Sequence, residues 1–265
     1  MGGAADGPRG GGQWVRIVFS PTGGTQRVAD LLTEGWPPGA GVIDLAEARS
    51  ELPGVFLGPD DAALIAVPSY GGRVPSVAAE RLLRVRGGGA RCALLCVYGN
   101  RACEDTLAEL EDLAVEAGFR PVAAVAAVAE HSIARQFAAG RPDGQDAARL
   151  RGYARQILEK LEDGADAPVR TPGNRPYKER KAGPGMAPQA DDRCTGCGLC
   201  ARLCPVQAIS ASNVKVTDAQ ACISCMRCVA VCPVRARSLP EATLAAVGDR
   251  LREPCSQRKE AELFL

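Results

Sequence analysis

The stretch VRIVFSPTGGTQRVADLL, residues 15–32, decides the fold of the first part of the chain. It begins with a continuous apolar run and continues through a loop rich in serine, threonine and glycine. Val28, Leu31 and Leu32 then follow at the spacing of one helix face. A buried strand, a short loop and an amphipathic helix in this order form the first unit of a parallel α/β sheet.

Further short apolar runs follow, separated by helical stretches: 41–45, 62–67, 92–97 and 121–129. Continuous apolar runs are typical of parallel strands that are covered on both faces. The sequence therefore predicts an α/β domain over residues 14–163, with a five-stranded doubly wound parallel sheet and a closing helix over 146–161. Cys92 and Cys96 lie four residues apart on the predicted fourth strand, so we assign both to the core.

The remaining segments are assigned by composition. Residues 1–13 are predicted to be a flexible leader, and residues 164–190 a linker, because they contain too few apolar residues to fold alone. We interpret the basic side chains of this linker as solvated, although they could dock an acidic redox partner: Arg170, Arg175, Lys178, Arg180 and Lys181. Residues 239–265 form a tail with one predicted helix and no assigned role.

Charge and hydropathy exclude several classes of partner. The net charge is +1, so the overall field indicates neither nucleic acid nor an anionic membrane. The apolar run over 121–129 is far shorter than the ~20 residues that span a bilayer. The first residues lack the apolar core of a signal peptide. A cytoplasmic location is therefore expected.

Most of the cysteines lie in two copies of one motif, CTGCGLCARLCP (194–205) and CISCMRCVAVCP (222–233). Both read C-x2-C-x2-C-x3-C-P, which indicates an internal duplication. In this pattern three thiolates hold one [4Fe-4S] cluster, and the fourth cysteine reaches across to the other cluster. Structural zinc is the alternative, but zinc sites usually use two separated pairs of ligands. The two predicted ligand sets are set I, Cys194, Cys197, Cys200 and Cys232, and set II, Cys204, Cys222, Cys225 and Cys228.

This cysteine pattern resembles that of the bacterial two-cluster ferredoxins. The resemblance covers residues 191–238 and implies a C-terminal α+β dicluster ferredoxin domain. It also implies one-electron transfer between two low-potential [4Fe-4S] clusters. A redox protein that donates or accepts electrons is therefore an expected partner.

Residues 20–25 form a candidate phosphate-binding loop. A helix N-terminus offers unpaired N–H groups and a partial positive charge, so it can hold a phosphate without a lysine. The loop lacks both the P-loop and the dinucleotide-binding glycine patterns, which leaves a single terminal phosphate as the ligand. A simple helix cap is the alternative. The candidate contacts are Ser20, Thr22, Gly23, Gly24 and Thr25.

Two further loops, PSYGGRVP (68–75) and YGNRACED (98–105), follow the predicted third and fourth strands. Ligands of open α/β sheets bind beyond the C-terminal ends of the strands. Each loop places a tyrosine beside a glycine, at Tyr70 and Tyr98, where a flat ring could lie. A phosphate at one loop and aromatic contacts at the next two indicate FMN. Alternatively, the tyrosines only pack the ends of the loops in a domain without flavin.

With S-x-T-G-x-T at Ser20–Thr25, the first domain resembles flavodoxin, and residues 14–240 are similar to flavodoxin–ferredoxin fusion proteins with YGG and YGNR loops. Arg101, like Arg73, could offset negative charge on a reduced flavin. His131, the only histidine, is expected at the same sheet edge and is a candidate proton donor, although capping of backbone groups is favoured. The resemblance implies FMN with its ring near Tyr70, Gly71, Tyr98, Gly99 and Asn100.

Three functions are compatible with these features. The favoured one is a carrier that relays electrons between two [4Fe-4S] clusters and FMN, with the redox chemistry supplied by the cofactors. The second is an FMN-dependent reductase of a small organic acceptor, fed by the clusters. The third is a ferredoxin whose α/β domain is a flavin-free docking module. The sequence names no donor, acceptor or direction of electron flow.

Overall fold

The computed structural model describes residues 12–47, 56–162, 167–180 and 183–265. Most of the predicted leader therefore lies outside the described residues. The strands, in chain order, are β1 (Trp14–Val18), β2 (Gly41–Asp44), β3 (Ala62–Pro68), β4 (Arg91–Tyr98), β5 (Arg120–Val128), β6 (Gln189–Ala190), β7 (Arg237–Ser238) and β8 (Glu262–Phe264). The helices are α1 (Gly24–Leu32), α2 (Ser76–Leu82), α3 (Thr106–Glu116), α4 (Gly144–Glu162), α5 (Leu199–Arg202), α6 (Arg227–Ala230) and α7 (Glu241–Arg252).

The first domain is built on a sheet with the strand order β2-β1-β3-β4-β5-β8. β1 to β5 pair in parallel, as predicted. The order 2-1-3-4-5 is that of flavodoxin-like doubly wound folds, in which ligands bind at the carboxyl ends of the strands. The predicted fold class is therefore confirmed, and the loops after β1, β3, β4 and β5 meet at one edge.

The sheet has a sixth strand that the sequence analysis did not predict. β8 comes from the tail and pairs antiparallel with β5, with Ala124 opposite Phe264 and Ala126 opposite Glu262. The prediction of a purely parallel five-stranded sheet is wrong in this respect. Because β8 is short and has no apolar alternation, only the open edge of β5 explains why it forms a strand.

Helices cover both faces of the sheet. One apolar layer contains residues from α1 and α4, such as Val28 and Leu150. The other contains residues from α2 and α3, such as Leu82 and Leu107. Cys92 and Cys96 both lie fully buried in this second layer, which confirms their assignment to the core.

The basic part of the predicted linker lies along α3. Arg175 pairs with Asp112 at 2.8 Å, Lys178 with Glu104 at 2.6 Å, and Arg180 with Glu109 at 2.6 Å. The interpretation as solvated is wrong for Arg175, Lys178 and Arg180, because residues 104–112 carry the complementary carboxylates. Arg170 is exposed, as expected. Composition describes the linker alone and does not reveal the surface that it packs against. Lys181 lies outside the described residues.

The second domain is small and follows the duplication. One short helix, α5 or α6, begins within each cysteine motif, and β6 pairs antiparallel with β7. The tail then forms α7, which confirms the predicted helix. No helix among the described residues is long and apolar enough to cross a membrane.

Candidate cofactor sites

The loops at the carboxyl edge of the sheet line one cavity, here called the sheet-edge cavity. Many of the residues predicted to bind FMN line it: Ser20, Thr22, Gly24, Thr25, Tyr70, Gly71, Tyr98 and Gly99. His131 lines it as well, together with its neighbours Glu130, Ser132 and Ile133. Three predicted residues, Gly23, Asn100 and Arg101, are not among its lining residues. The structure thus brings together the three loops that the sequence analysis singled out.

The phosphate-binding candidate loop leads directly into α1. Gly23 has a φ of 86°, a conformation that glycine adopts without strain, and the helix begins at the next residue. The Ser20 hydroxyl accepts a hydrogen bond from the Gln26 N–H at 2.9 Å, so it caps the helix and keeps its own proton available. No acidic residue lies in the first turn of α1 to offset the positive end of the helix dipole. This end of the cavity is therefore suited to an anion.

The YGG loop is a tight turn that orients Tyr70. Tyr70 and Arg73 exchange two backbone hydrogen bonds, of 3.0 and 3.2 Å, across Gly71 and Gly72. Both glycines have positive φ, 62° and 86°, as a type I′ turn requires. Burial, and the nearby Cys225 sulfur, raise the pKa of the Tyr70 hydroxyl well above its ordinary value. Tyr70 therefore stays protonated and lies close to set II.

His131 is oriented by the backbone of its own loop. Its Nδ1 accepts hydrogen bonds from the N–H groups of Ile133 at 3.2 Å and Ala134 at 3.1 Å. The proton of the neutral ring therefore lies on Nε2. A side chain at Gly99 would overlap the His131 ring, which is a reason for glycine in the YGN loop. His131 thus caps its loop, as favoured, and also contributes to the cavity wall.

The same histidine makes the stability of the protein depend on pH. Burial, with the charges of Arg101 and Arg250, lowers the pKa of His131 below its ordinary value of 6.5. The unfolded chain therefore binds this proton at a higher pH than the folded protein does. The free energy of unfolding is expected to fall as the pH drops from 6.5 through the lower folded pKa.

Urea denaturation between about pH 5 and pH 8 measures this dependence. His131→Gln removes the titrating group, so the variant is expected to lose this part of the slope. The same slope in the variant and the parent protein would rule out His131 as its source.

The Asn100 side chain binds the tail, and the Arg101 side chain pairs within its own loop. Asn100 Nδ2 donates to the carbonyls of Cys255 at 3.1 Å and Gln257 at 2.9 Å, and its Oδ1 accepts from Lys259 N. The Asn100 side chain is thus engaged by the tail, and its predicted place near a flavin ring stays a prediction. Arg101 pairs with Glu104 at 2.6 Å. Arg73, the other candidate cation, pairs in the same way with Glu109.

The opposite wall of the sheet-edge cavity comes from the cysteine-rich domain and the end of the segment before it, which the sequence analysis missed. Met186, Ile223 and Ser224 line the cavity, and Met186 N donates to Ser224 Oγ at 2.7 Å. A side chain at Gly185 would overlap the carbonyl oxygen of Cys222, so this glycine lets the chain press against the cysteine loop. Gly185 is thus a local feature of the sequence that indicates a close contact, but it does not identify the segment that is contacted.

Set II lies next to this wall. Ile223 and Ser224 stand between two of its cysteines, Cys222 and Cys225. Burial raises the pKa of the Cys225 thiol to about 12, and the neighbouring sulfurs of set II add to that rise. The loop that holds Cys222 and Cys225 therefore forms part of the cavity wall.

Set I surrounds a cavity of its own. All of its four cysteines line this cavity, and Arg237 lines it as well. The Arg237 Nε is buried and has no hydrogen-bond partner among the described residues. An orphaned donor beside four thiols fits a group with sulfur acceptors, as an iron–sulfur cluster is. Among the described residues, no three His, Cys, Asp or Glu side chains are close enough to chelate a single metal ion.

The two halves of the duplication make equivalent hydrogen bonds to sulfur. The Ala208 N–H donates to Cys204 Sγ at 3.3 Å, and the Ala236 N–H donates to Cys232 Sγ at the same distance. These cysteines are the fourth of each motif. N–H···S bonds of this kind tune the potential of iron–sulfur clusters. Both motifs thus have the donors that such clusters require.

The cysteine-rich part of the chain matches a known family of domains. Residues 193–236 match the model of the 4Fe-4S dicluster domain family. A flavodoxin of Streptococcus pneumonia TIGR4 is similar in structure, with 20% identity and a TM-score of 0.36, over 57% of this chain and 99% of the flavodoxin. A Trp repressor binding protein of Bacillus subtilis is similar at 13% identity and a TM-score of 0.32, over 52% of this chain and 94% of that one. No curated protein sequence matches the chain.

Two observations decide the kind of protein. The strand order of the first domain is flavodoxin-like. The second domain matches a family of iron–sulfur domains over both cysteine motifs. The chain therefore joins an α/β domain with a flavodoxin-like strand order to a domain that matches the 4Fe-4S dicluster family.

Proposed function

We propose that this protein relays electrons between FMN, bound in the sheet-edge cavity, and two [4Fe-4S] clusters, bound by set I and set II. One observation carries the proposal: the cavity has walls from both domains. Loops of the α/β domain form most of it. Ile223 and Ser224 of the cysteine-rich domain complete it, with Met186 from the segment before that domain. A flavin in this cavity would therefore touch the loop that holds set II.

The residues of the cavity fit FMN from end to end. Gly24 and Thr25, at the start of α1, offer N–H groups for the phosphate, and the hydroxyls of Ser20 and Thr22 add donors. Tyr70 and Tyr98, with the backbone of their glycine neighbours, would contact the ring. When bound, FMN exchanges one or two electrons and each cluster exchanges one, so the fusion links one-electron to two-electron chemistry.

Set II, rather than set I, would exchange electrons with the flavin. The set II loop contributes Ile223 and Ser224 to the cavity, and Cys225 lies near Tyr70. None of the residues that line the set I cavity lines the sheet-edge cavity. The order of carriers is therefore set I, set II and flavin, in either direction of flow.

The composition of the protein tests this function first. The full chain, purified and reconstituted without oxygen, is expected to hold about eight iron atoms. After FMN is offered and the excess is removed, acid extraction is expected to release about one FMN per chain. Retention of iron without FMN would leave a ferredoxin with a flavin-free docking domain. Retention of FMN without iron would contradict the assignment of both cysteine sets.

The kinetics of flavin reduction test the relay itself. When the clusters are reduced in a rapid-mixing experiment, the flavin is expected to become reduced at a rate that does not depend on protein concentration. A rate that rises in proportion to protein concentration would show transfer between molecules and contradict the relay.

Reduction of a small organic acceptor is a second candidate function. The observation that favours it is the neutral His131 in the cavity wall, whose Nε2 proton is available for donation. Steady turnover of such an acceptor, with loss of turnover in His131→Gln, would support a reductase. Turnover that is unchanged in this variant would remove His131 from the reaction.

A further inference from the structure

The two halves of the duplication differ at one buried position. Residues 204–210, CPVQAIS, align with residues 232–238, CPVRARS, so Ile209 in the first copy corresponds to Arg237 in the second. Both side chains are buried, at 4% and 3% exposure. Ile209 packs in one cluster with Cys200 of set I and Cys228 of set II. One copy of the motif therefore places an apolar group beside both sets, and the other copy provides a cation.

The Arg237 side chain is held between the two sets by hydrogen bonds to neutral groups. Its Nη1 donates to Cys200 Sγ at 3.5 Å and to the Val214 carbonyl at 2.7 Å. Its Nη2 donates to the Pro188 carbonyl at 3.1 Å and to the Thr217 hydroxyl. These contacts fix the position of the guanidinium without neutralising its charge.

The same charge reaches Cys228 of set II. Cys228 packs in one cluster with Cys200, and its helix α6 contacts β7, which carries Arg237. A single guanidinium thus contacts a sulfur of set I and lies close to set II.

No carboxylate among the described residues forms an ion pair with Arg237. A buried charge without a counter-charge is strongly destabilising, so buried arginines are normally paired. Four thiolates give a [4Fe-4S] cluster a net negative charge, and reduction adds one more. The missing counter-charge of Arg237 is therefore the charge of the clusters themselves.

We propose that Arg237 is a buried counter-ion shared by both clusters, and that its charge raises the reduction potential of each. This inference rests on the proposed binding of two clusters. Each reduction places one more electron near the fixed positive charge, which stabilises the reduced form of either cluster. Because the guanidinium contacts Cys200 and lies close to Cys228, one residue acts on both potentials.

An EPR-monitored redox titration of the reconstituted full chain tests the proposal. Arg237→Gln removes the charge but keeps an amide that can donate to the backbone carbonyls, and Arg237→Lys keeps the charge. In Arg237→Gln both midpoints are expected to become more negative, each by at least a tenfold change in equilibrium constant, about 59 mV for one electron. Arg237→Lys is expected to restore most of this shift.

Arg202→Gln is the matched control. Arg202 is exposed and donates to the Cys197 carbonyl at 3.1 Å. Its replacement therefore also removes one positive charge beside set I, but a charge that is exposed to water. Solvent and salt screen such a charge, and both midpoints are expected to stay in place.

The outcomes separate this inference from the proposed function. A wild-type chain that binds no iron would overturn the function. Normal iron content with either midpoint unchanged in Arg237→Gln would overturn the role of Arg237 and leave the function intact. If Arg237→Gln fails to retain clusters, Arg237→Lys is the deciding variant. Midpoint potentials that become more negative by about 59 mV or more in Arg237→Lys, despite the retained charge, would also overturn the role of Arg237.

Discussion

Replacement of Glu109 by alanine is expected to lower the free energy of unfolding by about 3–5 kcal/mol, because it breaks a buried ion pair. The Glu109 side chain is only 7% exposed, and that of its partner Arg73 is 13% exposed. The carboxylate accepts from Arg73 Nε at 2.7 Å, from the Val74 N–H at 2.8 Å and from Arg180 Nη2 at 2.6 Å. Without it, Arg73 remains buried with no carboxylate partner, and the segment that carries Arg180 loses an anchor.

Urea denaturation followed by circular dichroism measures this loss. Glu116→Ala is the matched control, because Glu116 is exposed at the end of the same helix and its replacement should change stability by no more than about 0.5 kcal/mol. Limited proteolysis provides a second measurement, since cleavage within residues 167–180 is expected to become faster in Glu109→Ala. Equal stability of the two variants would show that the ion pair contributes little.

Replacement of Cys225 by alanine is expected to abolish fast reduction of the flavin. The variant removes a ligand of set II, whose loop forms part of the sheet-edge cavity, while the phosphate-binding loop stays intact. FMN content is therefore expected to remain near that of the parent protein. Set I would still accept electrons from an external reductant, but its route to the flavin would be lost.

Stopped-flow absorbance at the flavin band measures this rate, with iron and FMN determined in the same samples. Cys255→Ser is the control, since Cys255 is also buried but belongs to neither set. Its serine can replace the hydrogen bond that the thiol donates to the Gly99 carbonyl. Fast flavin reduction that persists in Cys225→Ala would remove set II from the route.

Local patterns in the sequence predicted the parts of the fold that depend on neighbouring residues. The run from β1 through the glycine loop to α1 carries its own periodicity, and the cysteine motifs carry their own spacing. The loops at Tyr70 and Tyr98 were predicted for the same reason, since each directly follows a strand. These features led to the parallel sheet, and most of the residues that they predicted to bind FMN line the sheet-edge cavity.

Contacts between distant segments could not be predicted in this way. Met186 reaches the cavity only because the chain before it is pressed against the loop of Cys222. Asn100 binds the tail, and no local pattern distinguishes such an asparagine from one beside a ligand. The bases of the predicted linker lie far in sequence from the carboxylates of α3, so composition suggested solvent instead.

The pairing of β8 with β5 has a consequence for the order in which the chain is completed. β5 is a long apolar strand, and an unpaired edge of this kind can associate with other chains. Its partner, residues 262–264, follows the cysteine-rich domain in sequence. Since synthesis runs from the N-terminus, the first domain keeps this edge open until the second domain has been translated. The α/β domain therefore reaches its full sheet only after the ribosome has already produced every cysteine of set I and set II.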